Sequence, residues 1–156
     1  MNNEARPGAG LRYFGDAMSV DFRILPRRGL VYIRYDGLAT VRDSLAAFDR
    51  YARHPDCRPG QKQLVDLSRI TAYDRDFPKL FELQARKADV FMAEGAQTLV
   101  MYYAPTKITQ EIAHLVERSW EPFPAVVALV QANEADALAL LGQKETSFEE
   151  LLAAAV

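Results

Sequence analysis

Two runs near the start of the chain, VDFRIL (20–25) and LVYIRY (30–35), are rich in β-branched and aromatic side chains, and each has the length of one strand. PRRG separates them, a four-residue connection whose Pro and Gly suit a hairpin turn. The pattern then changes period. From Thr40, with Asp43 three residues on in a variant of the capping box, Val41, Leu45, Phe48 and Ala52 recur at helical spacing. Arg42, Asp49, Arg50 and Arg53 fall on the other faces, and Pro55 predicts a helix end near Arg53. KQLVDL (62–67) predicts a short third strand, followed by the turn-rich segment SRITAYDRDF.

A second helix is expected from near Asp76 to about Ala93, closed by Gly95, with Phe77, Leu80, Phe81, Ala85, Ala88, Phe91 and Met92 on one face. AQTLVMYY (96–103) predicts a fourth strand. Thr106 then N-caps a third helix whose inner arc is Ile108, Ile112, Leu115, Val116 and Trp120. AVVALV (125–130) is the fifth strand, and NEADALALLG (133–142) the last helix of the core, ending at Gly142. The order β-β-α-β-α-β-α-β-α predicts a single-domain α/β sandwich: a five-stranded mixed sheet with about four helices, parallel after the opening hairpin and wound with right-handed crossovers. Residues 1–17, rich in Gly, Asn and Pro, read as an extension that Leu11, Tyr13 and Phe14 would pack; 18–142 form the domain, and 143–156 an amphipathic tail.

Composition narrows the function classes. A chain of 156 residues buries roughly 70% of its unfolded surface on folding, enough for a core without metals or disulfides. The formal charge of −2 argues against nucleic acid as a partner. The single cysteine, Cys57, reads as a reduced thiol. The first residues hold no apolar core for a signal peptide, and AVVALV is far short of the roughly 20 residues of a membrane helix. A soluble, cytoplasmic protein without stable membrane insertion is the expectation.

With the elements in place, VDLSRITAYDRDF (65–77) resembles the central motif of STAS domains, the anti-sigma-factor-antagonist fold, in which a strand running into DLS precedes an Asp-Ser-Ser-Gly box. APTK before a helix and the closing NEADALALLG look more like the SpoIIAA-like branch of that superfamily, which has kinship with the lipid-binding CRAL-TRIO fold. The resemblance spans about residues 20–142. It implies a non-catalytic module that binds protein partners, nucleotides or apolar ligands and often dimerises. In phospho-regulated members a kinase modifies a serine of the box, which here reads Asp74-Arg75-Asp76-Phe77. No hydroxyl remains there. Asp76 is a poor phosphate mimic, with one charge against roughly 1.5–2, and is better read as the N-cap of the second helix.

Other chemistry is thin. Asp66, Asp74 and Asp76 at strand ends suggest at most a Mg²⁺ site, without the lysine and second acid of a receiver-type centre. His114, between Glu111 and Glu117, echoes a Glu-x-x-His ligand pattern but falls on the polar face of its helix. His54 and Arg58 flank Cys57 in a loop, and GAG (8–10) precedes no strand–helix unit, so no catalytic set and no cofactor is expected.

Two expectations stand, with a Mg²⁺-dependent enzyme third. One is protein docking, as a homodimer or with a partner, through the 68–76 loop and the second helix. There Leu83 and Val90 fall away from the main apolar face beside Lys79, Arg86 and Lys87, and Arg75 and Asp76 complete the contact surface. The other is an apolar small-molecule or lipid carrier, with Tyr32, Tyr35, Phe81, Phe91, Tyr102, Tyr103 and Trp120 lining a cavity.

Overall fold

The computed structural model describes residues 19–155, so the 1–17 extension, with Leu11, Tyr13 and Phe14, lies outside the described residues. The strands are β1 (Val20–Leu25), β2 (Leu30–Ala39), β3 (Lys62–Tyr73), β4 (Thr98–Tyr103) and β5 (Val126–Gln131). The helices are α1 (Val41–Ala52), α2 (Phe77–Phe91), α3 (Lys107–Ser119), α4 (Glu134–Leu140) and α5 (Phe148–Ala154). The sheet runs β1-β2-β3-β4-β5 in simple chain order, antiparallel in the opening pair and parallel thereafter. The mixed five-stranded α/β sheet expected from the pattern is the one found.

That monotonic order decides the layers. Right-handed crossovers that always step in one direction place every crossover helix on the same face. Accordingly, Phe48 and Tyr51 of α1, Leu83, Ala88 and Phe91 of α2, and Ile112 and Ala113 of α3 share one core with Val31, Val65 and Val100 of the sheet. The opposite face is left to α4 and α5, whose Leu138, Phe148 and Leu151 pack with Leu30, Tyr32, Leu64 and Met101. Neighbouring residues of β3 and β4 therefore serve different cores, which is why the adjacent pairs Leu64–Val65 and Val100–Met101 are buried together.

The hairpin forms at Pro26–Arg28 as a single 3-10 turn closed by Gly29 at φ 59°, a left-handed conformation that glycine adopts without strain. Arg28 reaches from this turn to Glu145 with two hydrogen bonds of 2.7 and 3.0 Å. The hydrogen bond from Arg28 holds the Glu145 carboxyl at about 2, well below the ordinary carboxylate value. The segment read as a tail is thereby tied to the first hairpin, and its helix, α5, completes the second core. No helix among the described residues is long and apolar enough to cross a membrane.

The structure corrects three local expectations. First, β2 and β3 run on to Ala39 and Tyr73, well past the residues read as strand, and pair with each other through Asp36↔Arg69, Gly37↔Ile70, Leu38↔Ala72 and Ala39↔Tyr73. Each segment alone carries turn-forming residues. Together they make a ladder, with irregular register between Arg34 and Asp36 and between Gly37 and Leu38. β3 pairs with β4 only over Gln63–Asp66, so this ribbon projects beyond the rest of the sheet.

Second, Thr40 does cap α1, accepting from the Asp43 N–H at 3.0 Å, but the Asp43 carboxylate turns away to accept from the N–H and hydroxyl of Ser19. The helix buries Ser44, Ala47, Phe48 and Tyr51, and leaves Ala52 exposed. Third, α2 is rotated from its expected orientation. Leu83, Gln84, Ala88 and Phe91 are buried, whereas Phe77 and Phe81 are 38% and 52% exposed. Apolar residues cover so much of this helix's circumference that periodicity alone does not choose a face. Packing against α1 and α3 chooses it, helped by a hydrogen bond of 2.9 Å from Gln84 Nε2 to Ser119 Oγ on α3.

Candidate functional site

Between the sheet and α1–α3 lies a cavity of about 130 Å³. Its floor is formed by inward-facing residues of β1 to β4, among them Phe22, Ile33, Tyr35, Val65 and Tyr102. α1 contributes Ala47 and Phe48, and α3 contributes Ile112 and Val116, with Trp120 just beyond its end. α2 supplies Leu80, Leu83, Gln84, Lys87 and Phe91, a single stripe at helical spacing. At roughly 10–15 Å³ for each water-sized group, the space holds on the order of ten.

The ribbon sets the mouth. Thr40, Val41, Tyr73, Asp74 and Leu80 line the cavity, and all of them are partly or fully exposed. Asp74 Oδ2 accepts from the Val41 N–H at 3.4 Å and Oδ1 from the Asp76 N–H at 2.9 Å, so one carboxylate joins the end of β3 to the start of α1. Asp76 accepts from the Lys79 N–H at 3.3 Å, the N-cap expected from the sequence. The Arg75 guanidinium stacks 4.9 Å from the Tyr73 ring centroid. The motif that drew comparison with a phosphorylation box is, structurally, the rim of a cavity.

Inside, the polar groups are few. The Tyr35 hydroxyl lies 2.8 Å from Ser44 Oγ, which itself donates to the Thr40 carbonyl at 2.9 Å; Tyr35 is therefore the donor of that pair. The Tyr102 hydroxyl accepts from Trp120 Nε1 at 2.8 Å. Burial pushes the phenols of Tyr35 and Tyr102 upward, so both remain neutral hydrogen-bonding groups rather than bases. Gln84 is fully buried, and its Oε1 has no hydrogen-bond partner.

Lys87 stands out among the lining residues. Burial among apolar neighbours pulls its ammonium down to about 8 from the ordinary value near 10.4. The charged form therefore costs stability below pH 8, and that cost fades as the pH rises to about 10.4, where the unfolded chain also loses the proton. Lys87→Met is expected to stabilise the protein at pH 7 by about 1–2 kcal/mol, allowing for the partial exposure of this side chain. The gain should shrink toward zero by about pH 10.4, read as the difference between wild-type and variant urea midpoints at the two pH values.

The expected ligand-lining aromatics divide. Tyr35, Phe91, Tyr102 and Trp120 line the cavity. Tyr32 and Tyr103 belong to the opposite face, where both rings pack edge-on against Phe148. Phe81 points to the surface, because α2 is rotated. Of the expected docking residues, Leu83 is 3% exposed and Val90 packs against the same core, so neither offers a surface. Arg75, Lys79 and Arg86 are exposed, and Arg86 donates to Asp49 on α1 at 2.7 Å. Lys87 and Gln84 were missed as lining residues. The signal was present in the spacing Leu80, Leu83/Gln84, Lys87, Phe91, but two polar residues in that stripe concealed it.

The acids do not assemble. Asp66 is buried on the opposite face, with Oδ2 accepting from the Tyr32 hydroxyl at 2.6 Å and Oδ1 from the Ser68 N–H and hydroxyl at 3.0 and 2.6 Å. Asp74 and Asp76 cap the turn described above. Among the described residues, no group of three or more His, Cys, Asp or Glu side chains is placed to hold a metal ion. His114 is exposed and 3.3 Å from Glu117. A sheet wound in one direction also lacks the strand-order reversal that opens a ligand crevice at the strand ends in doubly wound folds. The space available for a ligand is lateral, under the helices.

Compared with known proteins, the chain matches no protein-family model and no curated sequence.

Proposed function

We propose that the protein is a non-catalytic binding module that takes a small, largely apolar molecule into the cavity between the sheet and α1–α3. The observation behind this reading is the cavity itself. Its walls are mainly aliphatic and aromatic, it sits where a well-packed core would be filled, and its rim is built from partly exposed residues. An apolar void of this size forfeits packing on every wall, a cost that an apolar occupant removes. The neutral phenols and the dispersed acids favour occupancy over turnover.

Native mass spectrometry of protein purified from cells tests the reading. A retained apolar adduct is the expected result. Adduct-free protein that also fails to take up added octanol, followed by the fluorescence of Trp120, the single tryptophan, would count against it.

Docking as a STAS-like homodimer or with a protein partner is the second reading, and one observation favours it. Phe77 and Phe81, one turn apart at the start of α2, are both exposed beside Arg75. A clean dimer mass without adduct, abolished by Phe77→Ser together with Phe81→Ser, belongs to this alternative.

A further inference from the structure

Gln84 and Lys87 are polar residues on a stripe that is otherwise apolar, and both line the cavity. The orientation of the Gln84 amide follows from its neighbour. Ser119 Oγ donates its one proton to the Val116 carbonyl, so toward Gln84 it acts as an acceptor. It takes the Nε2 hydrogen at 2.9 Å. The reversed amide would set two acceptors face to face. Oε1 is thus the atom left over, fully buried and without a partner. A buried acceptor in that state is costly, and a donor supplied by an occupant removes the cost.

Two further groups shape the same space. The Tyr102 hydroxyl, on the same cavity lining as Gln84, accepts the Trp120 N–H, which leaves its own proton to donate. A hydroxyl on the occupant matches this pair, giving its proton to Gln84 Oε1 and receiving one from Tyr102. Lys87 presents an ammonium with no ion pair or hydrogen bond among the described residues. The other charged residue of the lining, Asp74, has its carboxylate engaged by two backbone N–H groups. Gln84 and Lys87 are three residues apart on one helix, so their Cβ atoms lie roughly 5–6 Å from each other. One small molecule that carries a carboxylate and a hydroxyl can therefore meet both side chains.

We propose that the occupant is a small apolar hydroxy acid, with its carboxylate on Lys87, its hydroxyl between Gln84 Oε1 and Tyr102, and its hydrocarbon part among Phe48, Phe91 and Trp120. This rests on the cavity being a binding site, as proposed above, and adds the chemical class.

Three probes of equal chain length separate the parts: octanol, octanoate and β-hydroxyoctanoate, titrated into the wild-type protein at pH 7 by calorimetry and Trp120 fluorescence. Octanoate is expected to bind about tenfold tighter than octanol, and β-hydroxyoctanoate about fivefold or more tighter than octanoate. Lys87→Met should erase the first preference and Gln84→Leu the second, each read as the ratio of two probes' affinities within one variant. The wild-type series decides even if a variant fails to fold. Octanol binding as tightly as both acids overturns the hydroxy-acid proposal and leaves the cavity reading standing. Binding of none of the three overturns both.

Discussion

Trp120→Ala is expected to destabilise the protein by about 3–5 kcal/mol, the range for deleting a buried large aromatic side chain. The indole is buried, lies 6.0 Å from the Phe91 ring and 6.1 Å from the Phe123 ring, and donates to the Tyr102 hydroxyl at 2.8 Å. Alanine removes all three contacts and enlarges a space that is already unfilled. Few neighbours are free to collapse into it, because β4 and α3 are each held by their own hydrogen bonds. A domain of this size should lose roughly 10 °C or more in Tm. Trp120→Phe keeps an aromatic ring but removes the N–H donor, and a cost of about 1–2 kcal/mol is expected. If urea unfolding gave the alanine variant a loss under about 1 kcal/mol, the wall of the cavity would not be packed as described.

Leu151→Ala carries the second large effect, about 2–5 kcal/mol. Leu151 lies on α5 and is fully buried in the core of the opposite face, with Leu30, Leu64, Met101 and Leu138. Its helix has only seven residues, too short to persist alone in water, so its order comes from this contact. Arg23 donates from β1 to the Leu152 and Ala155 carbonyls at 3.2 and 3.0 Å, and Arg28 holds Glu145 just upstream. Loss of Leu151 should loosen these contacts together. Leu140→Ala, at a position 50% exposed on α4, serves as the control and is expected to stay within about 0.5 kcal/mol of wild type. Equal effects at the two positions would mean that α5 does not seal the sheet.

The two effects belong to different sides of the sheet, and the difference bears on function. The centre of the α4–α5 side is filled by fully buried leucines and Met101. The α1–α3 side is larger and richer in aromatics, yet it leaves an unfilled space with a buried amide oxygen and a desolvated ammonium on its wall. Departures from complete packing and complete polar satisfaction concentrate at functional sites, because elsewhere they lower stability without return. Tightening this cavity is therefore expected to stabilise the protein at the expense of binding.

Much of the architecture was legible one segment at a time. The hairpin at PRRG, the caps at Thr40, Asp76 and Thr106, and the five strands follow from local chemistry: a glycine at positive φ, a side-chain oxygen facing free N–H groups, runs of β-branched residues. The loss of a phosphorylatable hydroxyl at Asp74–Phe77 is likewise a property of the residues themselves. Tertiary structure decided what depends on distant pairs. Residues 36–39 and 69–73 read as loop until each supplies the other's hydrogen-bond partners. The inward face of α2 is chosen by what it packs against, which exchanges Leu83 for Phe81 in the core and brings Gln84 and Lys87 to the cavity. Strand order, too, is invisible in a run of alternating elements. Only its steady progression puts three helices on one face, leaves the other to α4 and α5, and sets the space for a ligand between sheet and helices instead of at the strand ends.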